Sequence, residues 1–290
     1  MILRFENVTK SYGTIRALDA LSFGVDRGEN VALLGPNGAG KTTAIDIALG
    51  LRGADSGRVR LFGASPRDVA TRRRLGATPQ ESGFPDALRV EEIVAFAAAH
   101  FAQPSGVAAV LAAFGMEGLA KRRAGTLSGG QSRRLALVLA FAGNPELAVL
   151  DEPTTGLDVE SRRRLWDVVR NAAAGRSILF TTHYLEEAEA LASRIIVIDC
   201  GRLLFDGDPR ELRERFGARR LTYVGEPLEP AALGLAATFA RANGAVVVTT
   251  TDTDAYVRAL VRTGTQFSEL EIAPASLEDA FLSITGGSKE

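Results

Sequence analysis

The feature that most constrains this chain is a glycine-rich loop that directly follows the apolar run 30–34. The loop matches the pattern G-x-x-x-x-G-K-[ST] in full. Glycines let the backbone curl around phosphates, and the helix expected after the loop adds the positive end of its dipole. The sequence therefore predicts a nucleoside triphosphate site at Gly35, Pro36, Asn37, Gly38, Ala39, Gly40, Lys41, Thr42 and Thr43.

Two side chains at the end of this loop carry its chemistry. The Lys41 ammonium supplies a positive charge for the outer phosphates, and the Thr42 hydroxyl can bind Mg²⁺. A glycine turn that only happens to precede a lysine is the alternative interpretation. The strand pattern before the loop and the helix pattern after it favour the phosphate site instead.

A second motif is a pair of acids, Asp151 and Glu152, at the end of the apolar strand pattern 147–150. Strands of a parallel sheet present their carboxyl ends to the ligand crevice. Asp151 is therefore expected beside the Mg²⁺ held by Thr42, through water. Glu152 is expected to polarise an attacking water as a general base. An acidic surface turn is the weaker alternative, because the same chain carries the phosphate loop.

The segment Leu127-Ser128-Gly129-Gly130-Gln131 predicts a second anion site. Ser128 is a good N-cap, the glycine pair allows close backbone approach, and Gln131 opens a helix rich in leucine and alanine. A helix N-terminus of this kind binds anions. One nucleotide does not need two such anion sites from one chain. The second site, here called the Ser128 cradle (residues 127–131), is therefore expected to bind the nucleotide of another copy.

Together, these motifs resemble those of the nucleotide-binding subunits of ABC (ATP-binding cassette) transporters, over roughly residues 2–215. The resemblance implies an α/β fold: a P-loop NTPase cassette with a mixed sheet, an antiparallel β subdomain, and a helical subdomain at about 81–142. It implies ATP and Mg²⁺ as ligands, and four further site residues. These are Tyr12, which would stack on adenine; Gln80, which would reach Mg²⁺ and the attacking water; Asp158, in the loop that would cross the dimer interface; and His183, which would contact the γ-phosphate.

The chain beyond about residue 217 has the pattern of a separate, small α/β domain. Strands are expected over 221–224, 245–251 and 267–273, and helices over 229–243, 253–263 and 276–285. The closing segment 275–282 resembles the tail of bacterial ATPases that serve drug, antibiotic or lipid exporters. The prediction is thus a cassette over 1–217 and an accessory or regulatory domain over 218–290.

Composition restricts the partners of this chain. It carries 34 basic and 35 acidic residues, a net charge of −1, without a long block of like charge, so no nucleic-acid partner is expected. A single cysteine excludes an internal disulfide and fits a reducing compartment. The most apolar stretches, 93–102 and 135–143, are shorter than the roughly 20 residues of a membrane span. We therefore expect a cytoplasmic protein, and the resemblance implies that it lies on the inner face of the cell membrane through a separate permease.

The leading hypothesis is an ATP-hydrolysing subunit that powers export through that permease by ATP-driven dimerisation. An importer subunit is an open alternative, because the cassette motifs are shared. A cytosolic ABC protein that acts on ribosomes or DNA is disfavoured, since such proteins usually carry two cassettes or long coiled-coil insertions. Whether the dimer is a homodimer or a heterodimer with a related subunit stays open, as does the transported substrate, because specificity lies in the permease.

Overall fold

The structure, a computed structural model, describes residues 1–78, 83–101, 103–228, 237–242, 244–274 and 276–286. It divides into two compact units, Met1–Gly207 and Asp208–Glu290. The predicted boundary, after residue 217, lies later than this division. The difference arises because the helix Pro209–Phe216 packs against the helix Leu277–Thr285 of the second unit.

Two sheets form the first unit. Its strands are β1 (Leu3–Tyr12), β2 (Ile15–Val25), β3 (Asn30–Leu34), β4 (Ser56–Leu61), β5 (Leu75–Thr78), β6 (Leu147–Asp151), β7 (Ser177–Thr181), β8 (Arg194–Asp199) and β9 (Arg202–Gly207). One sheet is three-stranded and antiparallel, in the order β2-β1-β4, and the other is six-stranded, in the order β5-β6-β7-β3-β8-β9. The larger sheet is parallel except where β8 pairs with β9. The mixed sheet and the separate antiparallel sheet are confirmed.

Helices connect these strands. They are α1 (Lys41–Ala48), α2 (Val69–Arg72), α3 (Val90–Ala98), α4 (Val107–Ala113), α5 (Gly129–Ala142), α6 (Val159–Ala172) and α7 (Leu185–Leu191), with short 3₁₀ turns at Glu117–Leu119 and Ala124–Thr126. Between β5 and β6 the chain is helical, and α3, α4 and α5 pack on one another. These helices lie within the range predicted for the helical subdomain.

Strand β3 places the glycine-rich loop. Val31, Leu33 and Leu34 are buried, because β3 lies inside the larger sheet between β7 and β8. A parallel strand buried in this way has a continuous apolar sequence. Since β3, β6 and β7 are parallel, their carboxyl ends lie at one edge of the sheet. Gly35, Glu152 and Thr182 directly follow these three ends, so the sheet brings the separate motifs to one edge.

The second unit is built around an antiparallel sheet in the order β11-β12-β10-β13. Its elements are α8 (Pro209–Phe216), β10 (Arg219–Gly225), β11 (Ala237–Ala242), β12 (Ala245–Thr250), α9 (Thr253–Arg262), β13 (Phe267–Ala273) and α10 (Leu277–Thr285). Tyr223 on β10, Val248 on β12 and Tyr256 on α9 are buried in its core. The two tyrosine hydroxyl oxygens lie 3.2 Å apart.

The helix predicted over 229–243 is wrong for 237–242, which form β11; residues 229–236 lie outside the described part. β11 pairs with β12 in antiparallel register, with Phe239 opposite Val248. The pair Asn243-Gly244, read from the sequence as a helix stop, is a strong hairpin signal, and Gly244 has a φ of 82°. Because a hairpin partner lies across the turn, strand pairing overrides the local helix propensity here.

Candidate functional site

The glycine-rich loop joins the end of β3 to the start of α1 and needs glycine at two positions. A Cβ on Gly35 would lie 2.3 Å from the Ile198 carbonyl oxygen, and a Cβ on Gly40 would lie 2.3 Å from the Ala17 carbonyl oxygen. Gly40 is the residue before α1 and has a left-handed φ of 101°. The loop can therefore turn sharply enough to leave the first N–H groups of α1 at the edge of the sheet, where they suit phosphate.

Lys41 is buried and held by its own loop. Its Nζ donates hydrogen bonds to the carbonyl oxygens of Gly35 at 2.7 Å and Pro36 at 3.0 Å. Burial lowers the pKa of Lys41, and the negative charges of Glu152 and Asp151 oppose that shift. The ammonium thus lies within electrostatic reach of both predicted acids. Neutralisation of the outer phosphates by this ammonium stays a prediction.

Thr42 and Asp151 line one cavity of about 430 Å³, together with Asp46 and Thr78. Asp151 is buried at the end of β6, where the Thr181 hydroxyl donates a hydrogen bond to its carboxylate. Burial raises the pKa of Asp151, and the charge of Glu152 adds to that rise. A buried carboxylate beside a hydroxyl is a set of oxygen donors that fits Mg²⁺. Gln80, the third predicted metal ligand, lies outside the described residues.

Glu152 occupies an unusual backbone conformation. Its φ is 46°, in the left-handed region that residues with a Cβ rarely adopt. Its N–H donates to the Thr181 hydroxyl at 2.9 Å, and its carboxylate accepts from the Thr155 hydroxyl at 2.9 Å. His183 Nδ1 lies 3.6 Å from Glu152 Oε1. The structure therefore brings together the predicted general base and the predicted histidine, which come from different strands.

Ser128 and Asp158 both cap helices. The Ser128 hydroxyl accepts from the Gln131 N–H at 3.3 Å, and the Gln131 side chain accepts from the Ser128 N–H at 3.0 Å. Asp158 accepts from the Ser161 N–H at 2.9 Å and therefore begins α6. Ser128, Gly130, Gln131 and Leu157 line a cavity of about 180 Å³, so the glycine pair and the segment before Asp158 are neighbours.

That second cavity shares no described lining residue with the cavity at Thr42. The structure thus gathers Lys41, Thr42, Asp151 and His183 near Glu152, and gathers the residues around Ser128 elsewhere on the same unit. The expectation that the second cradle serves another copy stays a prediction.

Tyr12 ends β1 and presents a partly exposed ring, with 40% of its surface accessible. Lys10 Nζ and the Arg52 guanidinium each lie 5.6 Å from the centre of the ring. An accessible aromatic face can stack on a base, and two nearby cations suit an anionic ligand. The stacking role of Tyr12 stays a prediction.

Sequence comparison decides the family. Residues 18–155 match a family model described as ABC transporter. Over 97% of this chain, the sequence is 40% identical to Nod factor export ATP-binding protein I of Burkholderia thailandensis, of which the match covers 96%. The chain belongs to the ATP-binding subunits of ABC transporters. The site described above is therefore the candidate ATP site of this ABC subunit.

Solved structures agree with this ABC fold. One ATP-binding subunit of an ABC transporter matches with a TM-score of 0.67 and 29% identity, over 74% of this chain and 93% of that chain. A dimeric bacterial ABC transporter cassette matches with a TM-score of 0.64 and 25% identity, over 71% of this chain and 98% of that chain. Across the described residues of this ABC subunit, no helix is both long enough and apolar enough to cross a membrane.

Two residues of this ABC subunit's site were missed in the sequence. Thr181 bonds to the Asp151 carboxylate and to the Glu152 N–H, so one hydroxyl holds the side chain of one acid and the backbone of the next. Arg133 lies buried on α5 and donates hydrogen bonds to the backbone around Glu152. The signals available in the sequence were a threonine at the end of a buried strand and an arginine within a leucine-rich helix. Neither signal indicates which residue is contacted, because both contacts join positions that are far apart in the sequence.

Proposed function

We propose that this ABC subunit hydrolyses ATP and powers export through a separate membrane permease. The observation that carries the proposal is the convergence of Lys41, Asp151 and Glu152, with His183 against Glu152, at one edge of the larger sheet. Phosphoryl transfer to water needs a cation near the phosphate, an acid that holds the metal and an acid that orients the water. Lys41, Asp151 and Glu152 would fill these three roles.

In this proposal, water attacks the γ-phosphate in line, and Glu152 orients that water and accepts its proton. Lys41 offsets charge on the phosphate oxygens as the bond to the leaving group breaks. His183 contacts the γ-phosphate from beside Glu152. Thr155 and Thr181, through their hydrogen bonds, keep the Glu152 carboxylate and backbone in place.

Mg²⁺ is proposed to be held by Thr42 and Asp151, with Gln80 as a further ligand. When bound, the ion supplies positive charge that stabilises the phosphate oxygens during transfer. The hydrogen bond from Thr181 keeps the Asp151 carboxylate facing the cavity that Thr42 also lines. Burial disfavours the charged form of Asp151, and a bound cation would offset that penalty.

The working form is proposed to be a dimer with two nucleotides between its chains. Each nucleotide would lie between Lys41 of one chain and the Ser128 cradle of the other. The capping box at Ser128 fixes the start of α5, and the N-terminal end of a helix favours anions, which supports this arrangement. Hydrolysis removes the γ-phosphate that links the two chains, and the chains then separate.

Export is the proposed direction of transport, because the curated relative at 40% identity is named as an export ATP-binding protein. The chain would reach the inner face of the cell membrane through its permease. We propose that the segment 83–89 contacts a cytoplasmic helix of that permease, with Leu88 exposed and Phe84 half-buried. Residues 80–82, which precede this segment and belong to the same proposed contact, lie outside the described residues.

The second unit is proposed to act as an accessory domain. Its core of Leu221, Tyr223, Val246 and Tyr256 is complete enough to hold a sheet and a helix together. The proposed hydrolytic residues all lie in the first unit. A regulatory role or a role in dimer strength therefore fits it better than a role in catalysis.

Glu152→Gln tests the central proposal. The substitution keeps the shape of the side chain and removes its basicity, so ATP binding should persist while turnover falls by at least about 10²-fold. Glu160→Gln is the matched control, because Glu160 is an exposed glutamate on α6 paired with Arg164, and it should hydrolyse ATP normally. ATP affinity and phosphate release should be measured on both. Wild-type turnover in Glu152→Gln would refute Glu152 as the base.

A further inference from the structure

Arg133 is a buried cation on α5, and its guanidinium is bonded to the backbone beside the proposed general base. Only 9% of its surface is exposed. Nη2 donates to the carbonyl oxygen of Asp151 at 2.6 Å and also to that of Glu152, and Nε donates to that of Pro153 at 3.0 Å. One side chain thus binds the carbonyls of three consecutive residues, centred on Glu152.

The backbone that Arg133 binds has an unfavourable conformation at Glu152. Glu152 has a left-handed φ of 46°, and a residue with a Cβ keeps such a conformation only where its surroundings impose it. The Glu152 N–H is fixed from the other side by the Thr181 hydroxyl. The Asp151 and Glu152 carbonyls are therefore bonded to α5, and the Glu152 N–H is bonded to β7.

We propose that Arg133 is a positioning residue, which holds the left-handed backbone at Glu152 and ties it to α5, the helix that Ser128 caps. This inference rests on the proposed function, because it acts through Glu152 as general base. A carboxylate on a different backbone conformation would point away from the water that it has to orient.

The negative charges around Arg133 favour a positively charged side chain at this buried position. Burial lowers the pKa of Arg133, and the negative charges of Asp151, Glu152 and Glu187 oppose that shift. A guanidinium can donate several hydrogen bonds from one rigid plane, whereas an ammonium is a point donor on a flexible stem. Lysine at this position would therefore keep the charge but could not hold the carbonyls of three residues in the same way.

The position of Arg133 on α5 links the backbone at Glu152 to the helix that begins at the Ser128 cradle. The N-terminus of α5 is the cradle proposed to bind the nucleotide of the second copy. A shift of α5 would move the guanidinium, and the carbonyls bonded to it would move as well. Alignment of Glu152 would then depend on whether the Ser128 cradle of the same chain is engaged.

The competing interpretation is that Arg133 only satisfies buried carbonyls and stabilises the fold. The two interpretations predict different kinetics. A purely stabilising residue changes the melting temperature and leaves the turnover of the folded protein unchanged. A positioning residue lowers kcat at an unchanged ATP affinity, and its effect disappears when Glu152 itself is replaced.

The experiment measures kcat, KM for ATP and melting temperature of the full chain with Arg133→Ala, Arg133→Lys and Glu152→Gln/Arg133→Ala. For Arg133→Ala, kcat should fall on the order of 10²-fold while KM changes by less than about threefold, as a displaced catalytic group predicts. Arg133→Lys should be intermediate. The double variant should turn over no more slowly than Glu152→Gln alone.

Arg164→Ala is the control, since Arg164 is an exposed arginine on α6 and its loss should leave kcat unchanged. Wild-type kcat in a folded Arg133→Ala or Arg133→Lys variant would overturn the inference, as would multiplicative losses in the double variant. If Arg133→Ala does not fold, the lysine variant decides the question alone. A slow Glu152→Gln with a normal Arg133→Ala would overturn this inference and leave the proposed function standing.

Discussion

His183 Nδ1 lies 3.6 Å from Glu152 Oε1, although the two residues follow different strands of the sheet. The His183 ring also packs against Tyr184, with ring centres 4.0 Å apart. The imidazole is therefore placed beside the proposed base and partly open to solvent. In the proposed mechanism, one histidine at this position would contact both the γ-phosphate and the carboxylate that orients the water.

His183→Ala should slow ATP hydrolysis by about 10²-fold, which is the usual contribution of one hydrogen-bonding or proton-transferring side chain. The chain has two histidines, and His100 provides the matched control. His100 is exposed near the end of α3, and its ring contacts the Phe96 carbonyl oxygen. Steady-state phosphate release would be compared for both variants. Equal rates in the two would exclude a role for His183 in hydrolysis.

Dimerisation should depend on ATP and on the Ser128 cradle. In the Glu152→Gln background, light scattering should show a doubled mass when ATP is added. Gly129→Asp should abolish that change, because a Cβ on Gly129 meets no described atom within 4 Å and the added carboxylate would repel phosphate. The fold should tolerate this aspartate, since a negative charge is favourable in the first turn of a helix.

Gly118→Asp is the control for that experiment. Gly118 also has open space at its Cβ, and it lies in a 3₁₀ turn away from the cradle. This variant should still dimerise with ATP. A Gly129→Asp protein that dimerises as well as the control would contradict the two-chain site.

Leu88→Asp should uncouple the subunit from its permease. The Leu88 side chain is 40% exposed, while its backbone carbonyl accepts from the Ala124 N–H at 2.9 Å. The substitution should therefore leave the basal ATPase nearly intact and remove stimulation by the co-purified permease. Val261→Asp, at an exposed position on α9, serves as the control. Loss of basal activity in Leu88→Asp would instead indicate a core contact.

Glu187 should make stability depend on pH. Its carboxylate is buried on α7 and accepts a hydrogen bond from Thr154 at 3.1 Å, and burial raises its pKa from 4.5 to about 7. In the unfolded chain this group ionises near its ordinary pKa, whereas in the folded protein it keeps its proton to about 7. Its contribution to stability is therefore complete below about pH 4.5 and is lost as the pH rises towards 7.

Urea unfolding at pH 5 and pH 8 measures this effect. The wild-type free energy of unfolding should fall by up to about 3 kcal/mol more than that of Glu187→Gln between these pH values. Glu186→Gln, at the exposed neighbouring position, should keep the wild-type pH dependence. The same pH dependence in Glu187→Gln and the wild type would show that Glu187 titrates normally.

Local patterns were predicted well from the sequence. Ser128 caps α5 as predicted, and its hydroxyl accepts from an N–H only three residues ahead. The helix expected over 229–243 was wrong because the strand 237–242 is chosen by its pairing with β12 across a turn. A short apolar run such as this one fits either periodicity until a partner strand is known.

The sequence by itself determined the phosphate loop of residues 35–43 and the capped start of α5, because both depend on residues that are adjacent in the chain. Only the tertiary structure decided which side chains hold the backbone at Glu152, the proposed general base. Arg133 reaches Asp151 and Pro153 across 18 and 20 residues, and Thr181 reaches Asp151 across 30. Such contacts depend on how helices and strands pack, and packing brings together positions whose spacing in the sequence follows no repeat.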